Sequence, residues 1–203
     1  MTETALAKLR PDLFFNTRVA RRTLVELVRD KELIETPLYR NRSCFFAREP
    51  KGETEDFSEA GKIRAYAILA VCASSSANRT RVTRQEFQNY FPETYRPGLP
   101  MNYYVELGSR DPVLGFVRLD RGGPGRWDRL VAKALNDARR HRLEPAFERF
   151  IEKNALEIRV VTALPQKADR LRRALTEKVS RANIPIHVSV VPELINLIAP
   201  IPS

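Results

Sequence analysis

From Met101 onward the spacing of apolar residues switches repeatedly between period two and period 3.6. That alternation limits the chain to a sheet covered by helices. Residues 102–107 and 113–119 read as paired strands around a turn holding Gly108, Ser109, Arg110, Asp111 and Pro112. Trp127, Leu130, Val131, Ala134, Leu135 and Ala138 then repeat at helical spacing and define one regular amphipathic helix. A strand is predicted over 157–163, and a helix with Pro165 in its first turn reaches about residue 182. A strand over 184–191 and a short helix over 193–198 complete the chain. The order β-β-α-β-α-β-α predicts a mixed sheet with helices on its faces.

The segment between the amino-terminal region and this unit is punctuated by its own signals. Residues 51–61 carry Gly52, Glu53, Glu55, Asp56 and Glu59, the composition of an acidic linker. Ser58 is a fitting cap for a helix to about residue 73, with Ile63, Ala67, Ala70 and Val71 on its inner stripe. Residues 74–81 read as a loop. A short helix over 83–91 follows, in which Thr83 and Glu86 have capping-box spacing and Phe87, Tyr90 and Phe91 form the inner side. Tyr95 to Pro100, with Pro97 and Gly98, is a turn cluster.

The amino-terminal fifty residues have a different character. Residues 17–30 form an amphipathic helix at 100° per residue, with Ala20, Leu24, Leu27 and Val28 on one side. Arg18, Arg22 and Arg29 cluster within about 40° on the opposite side, and Arg21 lies beside them. Asn16 or Thr17 supplies the N-cap, where free N–H groups can meet a phosphate. Leu33, Ile34 and Thr36, then Cys44, Phe45 and Phe46, suit two strands of a hairpin whose turn carries Arg40 and Arg42. A helix followed by such a hairpin is how a winged-helix module addresses DNA, the helix in a groove and the wing on the backbone. The predicted class is therefore α+β. It comprises a winged-helix-like module (1–50), an acidic linker (51–61) and a mixed-sheet α/β domain (62–203).

Charge agrees with a polyanionic partner. The chain of 203 residues has a formal net charge of +10, spread along its length apart from the acidic linker. Such an excess draws the protein toward phosphates and gains from counterion release. Arg79, Arg81 and Arg84, interleaved with Asn78, Thr80 and Thr83, offer a second set of phosphate contacts at a helix start. The two cysteines, Cys44 and Cys72, lie in apolar company and make neither a disulfide framework nor a metal-ligand pair, and His141 and His187 stand singly. Residues 1–10 are polar and mixed in charge, unlike a signal peptide. The longest apolar run, 65–73, falls far short of the ~20 residues of a membrane span. A reducing cytoplasm, with association to the nucleoid, is the expected setting.

The hairpin ending LGFVRLDRGG, followed by a helix, the strand LEIRVVTA, another helix and a final strand, resembles the core of the PD-(D/E)XK nuclease superfamily. Together with the winged helix it is similar to replication-relaxation proteins of plasmids and integrative elements. The likeness spans residues 95–198 in pattern and about ten residues in motif. It implies a metal held by carboxylates on two strands, with a lysine nearby, to activate water. Here the first-strand position falls near Met101 or Asn102, the second-strand acid is Arg118, and Arg121 and Gly122 follow Asp120. The resemblance thus implies a nuclease-like scaffold without catalytic residues, metal or cofactor. Glu106, Asp111 and Asp120 are expected to cap turns or sit at the surface. The glycines at 122, 123 and 125 lack P-loop spacing and read as a strand-to-helix turn, and Trp127 as a core anchor.

The function expected is a regulator that binds double-stranded DNA through Thr17, Arg18, Arg21, Arg22, Arg29, Arg40, Arg42, Arg79, Arg81 and Arg84. The resemblance adds control of transcription or replication on a mobile element. The α/β domain would form a homodimer or hold a protein partner. A metal-dependent nuclease or replication accessory enzyme is the first alternative, and a protein–protein adaptor the second.

Overall fold

Five strands join in one mixed sheet, and the apolar residues of four of them find helices on the two faces. In the computed structural model, residues 17–37, 44–47, 58–74, 77–108, 112–122, 126–179 and 183–198 are described. Elements numbered in chain order are α1 (Thr17–Arg29), β1 (Ile34–Pro37), β2 (Cys44–Ala47), α2 (Glu59–Ala73), β3 (Asn78–Arg81) and α3 (Arg84–Tyr90). There follow β4 (Tyr103–Leu107), β5 (Val113–Leu119), α4 (Trp127–Leu143), α5 (Glu148–Glu152), β6 (Leu156–Thr162), α6 (Pro165–Val179), β7 (Ile186–Val190) and α7 (Ile195–Ile198).

The strands β1 and β2 pair antiparallel, Ile34 opposite Ala47, as a hairpin after α1. The larger sheet has the order β3-β4-β5-β6-β7. Its first three strands are antiparallel, and β5, β6 and β7 run parallel. The parallel pairs need crossovers, which α4 and α6 supply. Register puts Phe116 opposite Ile158 and Arg118 opposite Val160, so alternate residues of neighbouring strands share a face.

One face carries Tyr104, Val117 and Val161, packed beneath Ile63, Tyr66, Ala67 and Val71 of α2 and Leu194 and Leu197 near the carboxyl end. The other face carries Tyr103, Val105, Leu114, Phe116, Leu156 and Ile158 against Phe87, Phe91, Phe147 and Phe150. There Val160 also meets Leu130, Val131 and Ala134 of α4 and Leu171 and Leu175 of α6. Ser58 caps α2 by accepting from the Gly61 N–H at 3.1 Å. Thr83 and Glu86 form a full capping box on α3.

The structure departs from the sequence reading in several places. Residues 78–81, read as loop, form the edge strand β3, with Arg79 opposite Glu106 and Arg81 opposite Tyr104. Tyr90, read as inward, is 68% exposed, whereas Phe87 and Phe91 are buried as expected. The helix α2 is buried around most of its circumference rather than along one stripe, since Ala65, Ile68 and Cys72 are also buried. Its many small apolar residues allow this. A short helix, α5, stands where none was predicted. Residues 1–16 and 38–43, the wing tip with Arg40 and Arg42 among them, lie outside the described residues, as do residues 51–57 of the acidic linker and Asp111.

A buried polar pair sits in the second face. His141 Nδ1 donates to the Asp137 carbonyl at 2.7 Å, which leaves Nε2 to accept from the Tyr103 hydroxyl at 2.9 Å. Burial lowers the His141 pKa below its ordinary 6.5, outweighing the opposite pull of Asp137, while Arg118 lowers it further. Burial likewise raises the Tyr103 pKa, and Asp137 adds to the rise. A histidine with a lowered folded pKa is protonated more readily in the unfolded chain. Its contribution to stability is complete above 6.5 and is lost as pH falls from there toward the folded value. Urea unfolding between about pH 7.5 and 5 should reveal this slope, and His141→Gln should flatten it. An equal slope in the variant would assign the pH dependence elsewhere.

Candidate nucleic-acid interface and a basic cleft

The amino-terminal helix divides its residues as its period demands. Ala20 and Leu24 are buried, and Leu27 and Val28 are half-buried. Arg18, Arg21, Arg22 and Arg29 are exposed. Arg22 bridges Glu26 at 3.3 Å, but their side chains are 84% and 49% exposed. Arg29 lies 3.7 Å from Asp30, again at the surface. Solvated pairs of this kind contribute little and exchange readily for a phosphate. Val25, 47% exposed, lies among the arginines rather than in the core. Thr17 opens the helix, and Arg40 and Arg42 lie outside the described residues.

The second arginine set is engaged otherwise. Arg79 points onto the sheet, where its Nε donates to Glu106 at 2.7 Å and its guanidinium lies 5.3 Å from the Tyr104 ring centroid. A further oxygen of Glu157 is 3.7 Å away, and the Arg79 side chain is 13% exposed. Arg81 is half-buried on the same face. Arg84 is exposed, but the helix start beside it is already capped. Glu86 N–H donates to the Thr83 hydroxyl, and the Thr83 N–H to the Glu86 carboxylate. The phosphate contact expected of Arg79 is therefore blocked in this arrangement, because an intramolecular carboxylate occupies its guanidinium.

Arg79 belongs to a polar row crossing all five strands. The Tyr104 hydroxyl donates to Glu157 and accepts from Arg159 Nε at 3.1 Å. Arg159 also donates to Glu157 at 2.8 Å and to the Ser189 hydroxyl at 3.2 Å. His187 stands 3.4 Å from Glu157. Burial pushes the nearby Cys72 thiol up to about 12, although Arg79, Arg81 and Arg159 pull it down. A thiol so raised stays protonated and unreactive at neutral pH.

The carboxyl ends of β5 and β6 hold the third cluster. Asp120 is buried and its Oδ1 accepts from the Gly122 N–H at 2.9 Å, closing the turn after β5. Its Oδ2 accepts from the Thr162 hydroxyl at 2.9 Å and pairs with Lys167 Nζ at 2.7 Å. The turn-capping role read from the sequence is present, but this carboxylate is internal rather than superficial. Arg118, at the position where the nuclease likeness implies an acid, forms a bidentate pair with Asp137, one bond being 2.6 Å. Glu106 pairs in register with Val113, which lies seven residues before Asp120. At ~3.3 Å per residue the two acids stand about 23 Å apart along the sheet. Among the described residues no three His, Cys, Asp or Glu side chains gather as a metal-ligating group.

Beside Asp120 opens a cleft of about 500 Å³, bounded by Asn102, Arg118 and the loop after β5 on one side and by α4 on the other. Arg126, just before α4, lines it together with Arg129 and Lys133 of α4 and Arg64 of α2. The sequence reading missed these four. For three of them the signal was the spacing 126, 129, 133 at and just after a glycine-rich turn that opens a helix; Arg64 had none. The cleft also brings together Asn102, Arg118 and Asp120, the positions that the nuclease likeness singled out. No family model, curated protein or solved structure matches the chain.

Proposed function

We propose that this chain is a regulatory protein that binds double-stranded DNA through α1 and the hairpin that follows it, used as a winged-helix module. The observation that carries the reading is the exposed arginine face of α1, formed by Arg18, Arg22 and Arg29 opposite the buried Ala20 and Leu24. A helix needs no such face to pack, and a groove lined by phosphates attracts one. The overall charge of +10 favours the same partner. The α/β body is read as a nuclease-like scaffold without catalysis, a view supported by the Arg118–Asp137 pair where a metal-binding acid would be needed. Control of transcription or replication of a mobile element, a cytoplasmic setting and a homodimer formed by this body are part of the proposal. Among the described residues no helix is long and apolar enough to cross a membrane.

Fluorescence anisotropy with a labelled duplex, titrated at several salt concentrations, tests the reading. The double variant Arg18→Ala, Arg22→Ala should bind more weakly and show a shallower dependence of log K on log salt. The slope should drop by about 0.9 for each phosphate that the variant no longer neutralises. Both side chains are exposed, so the thermal melt should not move. Unchanged affinity and slope in a normally folded variant would remove the helix from the interface.

A further inference from the structure

We propose that the basic cleft beside Asp120 is a metal-independent binding site for a phosphorylated small molecule of nucleotide size. Three independent features of the cleft point there. The first is its net charge. Of its lining side chains, Asp120 is neutralised by Lys167 and Arg118 by Asp137. Arg121 keeps its charge but is held on the Ala60 carbonyl at 2.7 Å, and Arg64 lines the cleft from α2. Arg126, just before α4, joins Arg129 and Lys133, which lie about 40° apart on that helix, to make a group of three cations. Asp128, the acid of the first turn, falls on another side of it.

The second feature is the end of α4 that faces the cleft. This helix of 17 residues begins at Trp127, and Arg126 supplies no side-chain cap. The positive end of its dipole adds to the charge of Arg126 and Arg129. The third is Asn102, a cleft residue only 8% exposed whose amide oxygen accepts no hydrogen bond from the described residues. A buried acceptor of this kind calls for a donor, and a ligand hydroxyl supplies one once the amide turns from its closed position toward the cleft. Phosphate for the cations and hydroxyl for Asn102 together describe a nucleotide. Pro100, Leu119 and Leu130 give the apolar surface on which a base can rest.

Size separates this site from the duplex interface. About 500 Å³ falls within the ~300–1,000 Å³ typical of small-molecule sites. A duplex carries its phosphates on a convex cylinder and touches such a cleft only at the rim. The groups that would meet the phosphates are side-chain cations, so no divalent ion is needed to bridge ligand and protein.

Isothermal titration calorimetry on the full chain, in about 0.15 M salt with a chelator, tests the site with ATP, pyrophosphate, adenosine and a short duplex. ATP should bind and adenosine should not. Arg126→Ala with Arg129→Ala should weaken ATP binding about tenfold or more, with an unchanged melt. Asn102→Ala should weaken ATP but not pyrophosphate. No ATP binding, or ATP binding indifferent to the α4 variant, would overturn the proposal. Equal affinity for pyrophosphate and ATP would overturn the nucleotide assignment, and competitive displacement of ATP by the duplex would give the cleft to DNA instead. Arg18→Ala with Arg22→Ala should leave ATP binding intact, so failure of the duplex interface is read separately.

Discussion

Replacing Asp120 with alanine is expected to lower the free energy of unfolding by about 3–5 kcal/mol, the cost of orphaning one member of a buried ion pair. The Lys167 side chain is 2% exposed and would lose a carboxylate 2.7 Å away. The same change removes the acceptor for the Thr162 hydroxyl and for the Gly122 N–H. Three donors from the turn after β5, the end of β6 and the first turns of α6 converge on one carboxylate, so its loss loosens all three. Equilibrium denaturation in urea measures the effect. The double variant Asp120→Ala, Lys167→Met should be markedly more stable than Asp120→Ala alone, because no isolated charge remains. A loss below about 1 kcal/mol in the single variant would show that water reaches the site and screens the lysine. The position matters for function as well. Asp120 and Gly122 form the wall of the basic cleft, so a variant that folds but loosens this turn should also lose cleft binding.

Much of the fold could be read from local pattern. The strands at 103–107 and 113–119 and the stripe from Trp127 to Ala138 declare themselves because each buries its own periodic face. The Ser58 cap and the Thr83–Glu86 box depend only on neighbours three residues apart. The edge strand Asn78–Arg81 could not be seen, because its sequence NRTR has no apolar residue to alternate. Its stabilising partners, Glu106 and Glu157, lie 27 and 78 positions farther along the chain. The same limit hid the cleft. Sequence shows which residues are arginines, but not that Arg79 and Arg118 are neutralised internally while Arg126 and Arg129 line a cavity. The arginine face of α1 was legible, since a single helix contains both it and its buried opposite.

Gly115→Ala is expected to destabilise the chain by about 3 kcal/mol, at the upper end of the cost of overpacking a core. Gly115 lies opposite Tyr104 in the β4–β5 register, and the Tyr104 ring lies across it. A Cβ at this position would fall well inside 3.0 Å of the ring carbons Cζ, Cε1 and Cε2. The ring cannot swing aside at little cost, because its hydroxyl is bound by Glu157 and Arg159 on β6, the far side of β5. Glycine is thus what lets a tyrosine of β4 cross β5 and join the polar row on β6. Displacing the ring breaks those bonds and leaves Glu157 and Arg159 half-buried with fewer partners. Tyr104→Phe separates the two contributions, since it keeps the ring over Gly115 and removes only the hydroxyl; it should cost about 1–2 kcal/mol. In the double variant Gly115→Ala, Tyr104→Leu the losses should be less than additive, because the smaller side chain makes room for the new methyl group. Additive losses, or a Gly115→Ala melt indistinguishable from the parent, would mean that the ring does not depend on the missing side chain.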